Sequence, residues 1–129
     1  MLFRTRSKEV AWEVVDTRDV EPICMYSEDE DLDLEAISDY DIRGTYVFDI
    51  KTKTSYTASQ SAIVFAQQQL LKEVEKKGYN IFLNESWRLT VLRRKAQYRL
   101  EVEYCGRPAH VHGETPAIKP PPFMEVLRT

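Results

Sequence analysis

Apolar and polar residues alternate with a period of two along three stretches of this chain and recur at helical spacing along one. The longest alternation runs from Trp87 to Tyr104. Trp87, Leu89 and Val91 fall on one face of a first arm, and Tyr98, Leu100, Val102 and Tyr104 on one face of a second, with Arg93-Arg94-Lys95 between them. Successive side chains of a strand point to opposite faces, so this pattern predicts a β-hairpin with an apolar core face and a basic tip. Ile42, Tyr46, Phe48 and Ile50 predict a second strand, in which Gly44 marks a bulge or the close passage of the following helix. Val10, Trp12 and Val14 predict a third over Glu9 to Asp16. Short runs at Ile23–Tyr26 and Ile81-Phe82-Leu83 predict two briefer strands, with Asn84-Glu85-Ser86 as a turn before the hairpin.

The helical stretch follows a polar turn at 51–55. Thr57-Ala58-Ser59-Gln60 has the spacing of a capping box, which predicts a helix start at Thr57. Ile63, Ala66, Leu70, Leu71 and Val74 then form an apolar stripe, opposite Gln68, Gln69, Lys72, Glu75 and Lys76. Lys76-Lys77-Gly78 suits the helix end, because the cations oppose the dipole and the glycine tolerates a left-handed conformation. Two residues break the pattern. Gln67 projects from the apolar stripe and is expected to bond a nearby backbone group. Phe65 projects from the polar side, where it either packs under a loop or belongs to an exposed apolar contact surface.

Eight acids and no base occupy residues 28–41, and such a block predicts a solvated loop or a marginal helical turn. It lacks the turn glycine of a calcium loop. Gly106-Arg107-Pro108 is expected to end the hairpin's second arm. The reading is therefore one domain over 1–109 and an extended proline-containing tail over 110–129, lying on the domain or free. The expected fold class is α+β: an antiparallel curled sheet of four to five strands packed on one long amphipathic helix. By analogy of shape alone this resembles cystatin-like domains.

Composition narrows the function classes. With 129 residues, 43% hydrophobic and 30% charged, the chain can bury a core unaided, and a net charge of −3 argues against a general nucleic-acid coat. No apolar run reaches the roughly 20 residues that span a bilayer, and the N-terminus lacks a secretory apolar core. An intracellular protein with no membrane role is expected, its two cysteines buried, inert thiols.

Candidate chemistry is sparse. Arg88, Arg93, Arg94, Lys95 and Arg99 crowd the hairpin without an intervening acid, beside Trp87 and Tyr98, and guanidinium forks with aromatic faces suit phosphate backbones. The competing reading makes them ordinary solvent-side charges that discourage edge pairing. His110 and His112 would share one side of an extended strand, with Cys105 and Glu114 nearby, and are weak metal candidates. No phosphate loop, nucleophile elbow or H-E-x-x-H motif occurs. The expected function is a non-enzymatic binding or regulatory module acting through protein contacts, without cofactor. The alternative is nucleic-acid or polyanion binding through residues 88–99, and a metal-dependent enzyme using His110 and His112 comes third.

Overall fold

The computed structural model describes residues 10–51 and 55–128. In chain order it contains β1 (Glu13–Cys24), β2 (Leu34–Ile37), β3 (Ile42–Ile50), α1 (Tyr56–Glu75), β4 (Ile81–Arg94), β5 (Gln97–Val111) and a short 3-10 helix, Met124–Arg128. The strands form one antiparallel sheet. β1 pairs with β4, β4 with β5, and β2 and β3 both line the far side of β5 at successive stretches. α1 packs across one face of this curled sheet, giving the two-layer α+β build expected from the sequence.

One buried cluster joins the layers. Ile63 and Leu70 of α1 meet Trp87, Leu89, Leu100 and Val102 of the hairpin, as the two periodicities require. Tyr104, fully buried, completes this face. A smaller cluster lies elsewhere, where Tyr26, Leu32 and Leu83 pack on Ile81, Ala109 and Val111.

Several local expectations are corrected. The strands placed at Glu9–Asp16 and Ile23–Tyr26 merge into one, β1, which begins only at Glu13 and ends at Cys24, and whose register shifts between Val14 and Asp16 and between Val20 and Ile23. Pro22 sits inside the second shift, on a sheet margin that tolerates its missing N–H. Glu9, and residues 52–54 of the expected polar turn, lie outside the described residues. Asn84-Glu85-Ser86 is not a turn: β4 runs straight through from Ile81, with a bulge between Phe82 and Glu85 that resets the alternation. Gly106 does not end β5. A Cβ there would stand 2.6 Å from Phe82 Cδ1, so its absence leaves room for the Phe82 ring and the strand continues. Pro108, opposite Phe82, abuts the bulge where the ladder is already interrupted.

The acidic segment 28–41 is not wholly loop, since it contains β2. Backbone pairing with β5 and the burial of Leu32 hold it in place, including His112 N–H to Asp33 O at 2.8 Å and Ser38 N–H to Pro108 O at 2.9 Å. The helix is capped by Ser55, whose hydroxyl accepts from Ala58 N–H at 3.1 Å, two residues before the expected Thr57. Its other end closes as expected around Gly78 (φ 93°), with Tyr79 N–H to Val74 O and Gly78 N–H to Glu75 O, each 3.1 Å.

Candidate functional site

The two margins of the sheet differ. β1 is bulged twice and carries Pro22, devices that blunt an edge. β3 pairs with β5 without a register shift from Ile42↔Gly106 to Ile50↔Tyr98, and contains neither proline nor lysine. Among the described residues no strand pairs with its outer side. Ile42, Tyr46, Phe48 and Ile50 face the core under α1. Arg43, Thr45, Val47 and Asp49 alternate with them on the open face, where Arg43 contacts Glu103 at 3.5 Å and Asp49 contacts Arg99 at 2.8 Å.

Gly44 admits a close neighbour, but that neighbour is not the helix. A Cβ at Gly44 would lie 2.6 Å from the Tyr46 hydroxyl, so the Tyr46 ring folds back over it. Burial, with Glu73 nearby, raises that phenol above its usual range. Phe65 does not lie under a loop either. It remains 44% exposed and meets Phe48 and Tyr46 edge-on at centroid distances of 5.4 and 6.5 Å. The β3 margin thus combines open backbone with a contiguous aromatic patch, Tyr46, Phe48 and Phe65. No local pattern marked the margin itself, because strand order is a tertiary property; Phe65 on the polar side of α1 was its one trace.

At the hairpin tip the five expected cations are largely matched by acids. Arg93 pairs with Glu13 at 3.1 Å, Arg99 with Asp49 at 2.8 Å, and Arg88 approaches Asp19 at 4.0 Å. These acids come from β1 and β3, far away in the chain, so the local sequence could not reveal them. Arg94 donates to Gln97 at 3.3 Å, and its guanidinium lies 4.5 Å from the Trp12 ring centroid, with that of Arg99 at 4.3 Å. Trp12, Lys51, Arg94 and Arg99 line an open cleft of about 470 Å³. Lys95 occupies the turn at φ 57°. The acidic segment does not reach this tip: β2 pairs at residues 109–111, the other end of β5.

His110 and His112 do share a side, as strand periodicity requires, and Glu35 of β2 bridges them. His110 Nε2 lies 3.3 Å and His112 Nδ1 2.9 Å from its two oxygens. Cys105 pairs instead with Ser86 and Arg43 along the strands and is half-buried, while Cys24, at the end of the marginal strand β1, is exposed, so neither thiol is buried as expected. Among the described residues no group of three His, Cys, Asp or Glu side chains is placed to hold a metal ion.

The least expected polar group is Glu85, only 4% exposed. Gln67 Nε2 donates to its Oε1 at 2.8 Å and to the backbone oxygen of Lys119 at 2.9 Å, and the Tyr104 hydroxyl donates to the same Oε1. Gln67 therefore meets a backbone group as expected, and a buried carboxylate besides. Burial raises the Glu85 carboxyl above its usual range, against the opposing pull of both donors, and raises Tyr104 strongly. Lys119 is held in turn: its ammonium donates to Met25 O at 2.8 Å and to Glu30 at 2.7 Å, which lowers the Glu30 carboxyl. This network ties the tail to helix and sheet.

No helix of the described residues is long and apolar enough to cross a membrane. No protein-family model, curated protein or solved structure matches the chain.

Proposed function

We propose that this chain is a non-enzymatic binding or regulatory module that acts through protein contacts at the outer edge of β3, in a reducing intracellular compartment where Cys24 and Cys105 remain free thiols. One observation carries the reading. Among the described residues β3 is a regular edge strand with no strand on its outer side, flanked by the exposed ring of Phe65, whereas the opposite margin is bulged and proline-bearing. Unpaired edge N–H and C=O groups are a template for an added strand, and an adjoining aromatic patch supplies side-chain recognition.

The test uses Val47→Lys. Val47 is 52% exposed on the open face, so the substitution should leave stability within about 0.5 kcal/mol while setting a charge against strand addition. Affinity capture with the wild-type chain should retain a partner that the variant loses. Equal retention by both would refute the edge as the contact surface.

A second reading, polyanion binding at the hairpin tip, is favoured by Arg94 and Lys95, which have no acid partner among the described residues, and by the Trp12 cleft. It is weakened by the acids matched to Arg88, Arg93 and Arg99. Salt-dependent retention of a generic oligonucleotide, lost on replacing Arg93, Arg94 and Lys95 by Ser, separates it from the first.

A further inference from the structure

We infer that the partner of the β3 edge is a second copy of this chain, joined by antiparallel β3–β3 pairing about a two-fold axis at Tyr46. This rests on the reading of β3 as the contact edge and names its occupant. In an antiparallel self-pairing centred on Tyr46, Ile42 stands opposite Ile50 of the second copy, Arg43 opposite Asp49, Gly44 opposite Phe48, and Thr45 opposite Val47. Each contact occurs twice, as an isologous interface demands.

The outer pairs are complementary. The helix-side row brings isoleucines together at both ends, and Gly44, over which its own Tyr46 ring is folded, sets no bulky side chain opposite Phe48. On the open face, Arg43 meets Asp49. Within one chain Arg43 already contacts Glu103, and Asp49 already contacts Arg99. The assembled sheet would therefore carry a row of alternating sign: Glu103 and Arg43 of one copy, then Asp49 and Arg99 of the next. Opposite charges placed directly across strands favour pairing, and like charges oppose it.

The alternative registers are disfavoured by the same residues. Sliding by one residue would set core-side positions against open-face ones. The two nearest registers that keep the faces matched place Arg43 opposite Lys51 in one direction, and Asp41 opposite Asp49 in the other. Only the Tyr46-centred register avoids a like-charge pair here. A two-fold axis normal to the sheet also keeps both helices on one face. Phe65 of each copy then flanks the joint beside Tyr46 and Phe48, which accounts for an exposed aromatic ring on the polar side of α1.

Sedimentation of Arg43→Asp, of Asp49→Arg and of their equimolar mixture tests this arrangement, with the thermal midpoint of each variant confirming its fold. The wild-type chain should self-associate. Each variant alone places like charges at both symmetric contacts and should associate about tenfold more weakly. In the mixture every cross-interface pair is again of opposite sign, so association should return to the wild-type level. A mixture no better than either variant would overturn the inferred register. A second measurement is independent of these charges: Thr45→Cys mixed with Val47→Cys should form a disulfide-linked dimer under oxidation, because directly opposed residues lie within disulfide reach, and neither variant alone should do so to the same extent. Absence of that product overturns the proposal as well. A wild-type chain that stays monomeric, yet loses a foreign protein on Val47→Lys, overturns the second copy and leaves the edge reading standing. Self-association that survives Val47→Lys and both charge variants overturns the edge reading too.

Discussion

The buried carboxylate of Glu85 accepts a hydrogen bond at 2.8 Å from the side chain of Gln67, eighteen residues away on the opposite layer of the fold. No cation meets this carboxylate in the described hydrogen bonds and ion pairs; its donors are the neutral Gln67 amide and Tyr104 hydroxyl. Neutral donors compensate a buried charge only in part. The pair spans helix and sheet, and through Lys119 O it also engages the tail.

A pH signature follows from burial. The Glu85 carboxyl is raised above its ordinary 4.5 in the folded state, so the fold binds this proton more tightly than the unfolded chain does. Its contribution is fully present below the unfolded value and is lost as pH rises through the raised one. Glu85→Gln keeps an acceptor for both donors and cannot ionise. Urea unfolding from acid to neutral pH should show the stability difference moving in favour of the variant, and a difference constant with pH would contradict the raised carboxyl.

The tail should behave as part of the domain. Trp87 Nε1 donates to Pro122 O at 2.8 Å, and Pro121 and Met124 are buried. Deleting residues 117–129 should cost on the order of 3 kcal/mol, from one apolar side chain and two hydrogen bonds at least. Chemical denaturation with Trp fluorescence checks this, the emission shifting red in the folded baseline as Trp87 meets water.

Leu100 is 1% exposed at the centre of the main cluster. Leu100→Ala should lower stability by about 2–5 kcal/mol, combining lost transfer energy with a cavity. An unchanged denaturant midpoint would place the hairpin's core face on the wrong side.

The hairpin turn stores backbone strain. Lys95 sits at φ 57° in the two-residue loop joining Arg94 and Gln97, a conformation that costs a non-glycine residue about 1–2 kcal/mol. Lys95→Gly should raise the urea midpoint, with a net gain of roughly 0.5–1 kcal/mol after the greater freedom of glycine in the unfolded chain.

Amide exchange should divide the acidic segment. The β2 amides that pair with β5 should exchange more slowly than those of Glu28, Asp29 and Asp31, though faster than the middle of β5, because all four β2 residues are exposed. Uniformly fast exchange across 28–41 would show that β2 does not persist in solution.

Local pattern determined much of this protein. Period-two alternation marked β3 and the faces of the hairpin, and the 3.6-residue stripe marked α1 and its glycine stop, because burial on one face acts at each residue separately. Composition marked the acidic block and the basic tip. Where neighbours in space are distant in sequence, pattern failed. Pro108 looked like a chain break and Glu85 like a turn residue, yet a bulge and two donors from other elements accommodate them. Leu32, Leu34 and Ala36 do alternate with Asp33 and Glu35, but the flanking acids hid so short a run, and it is the backbone of β5 that holds β2. The acids that match Arg88, Arg93 and Arg99 arrive on other strands. The open margin of β3 is likewise a matter of strand order: a strand's own residues specify which side chains are buried, but only pairing in the folded sheet decides which backbone groups are left without a partner.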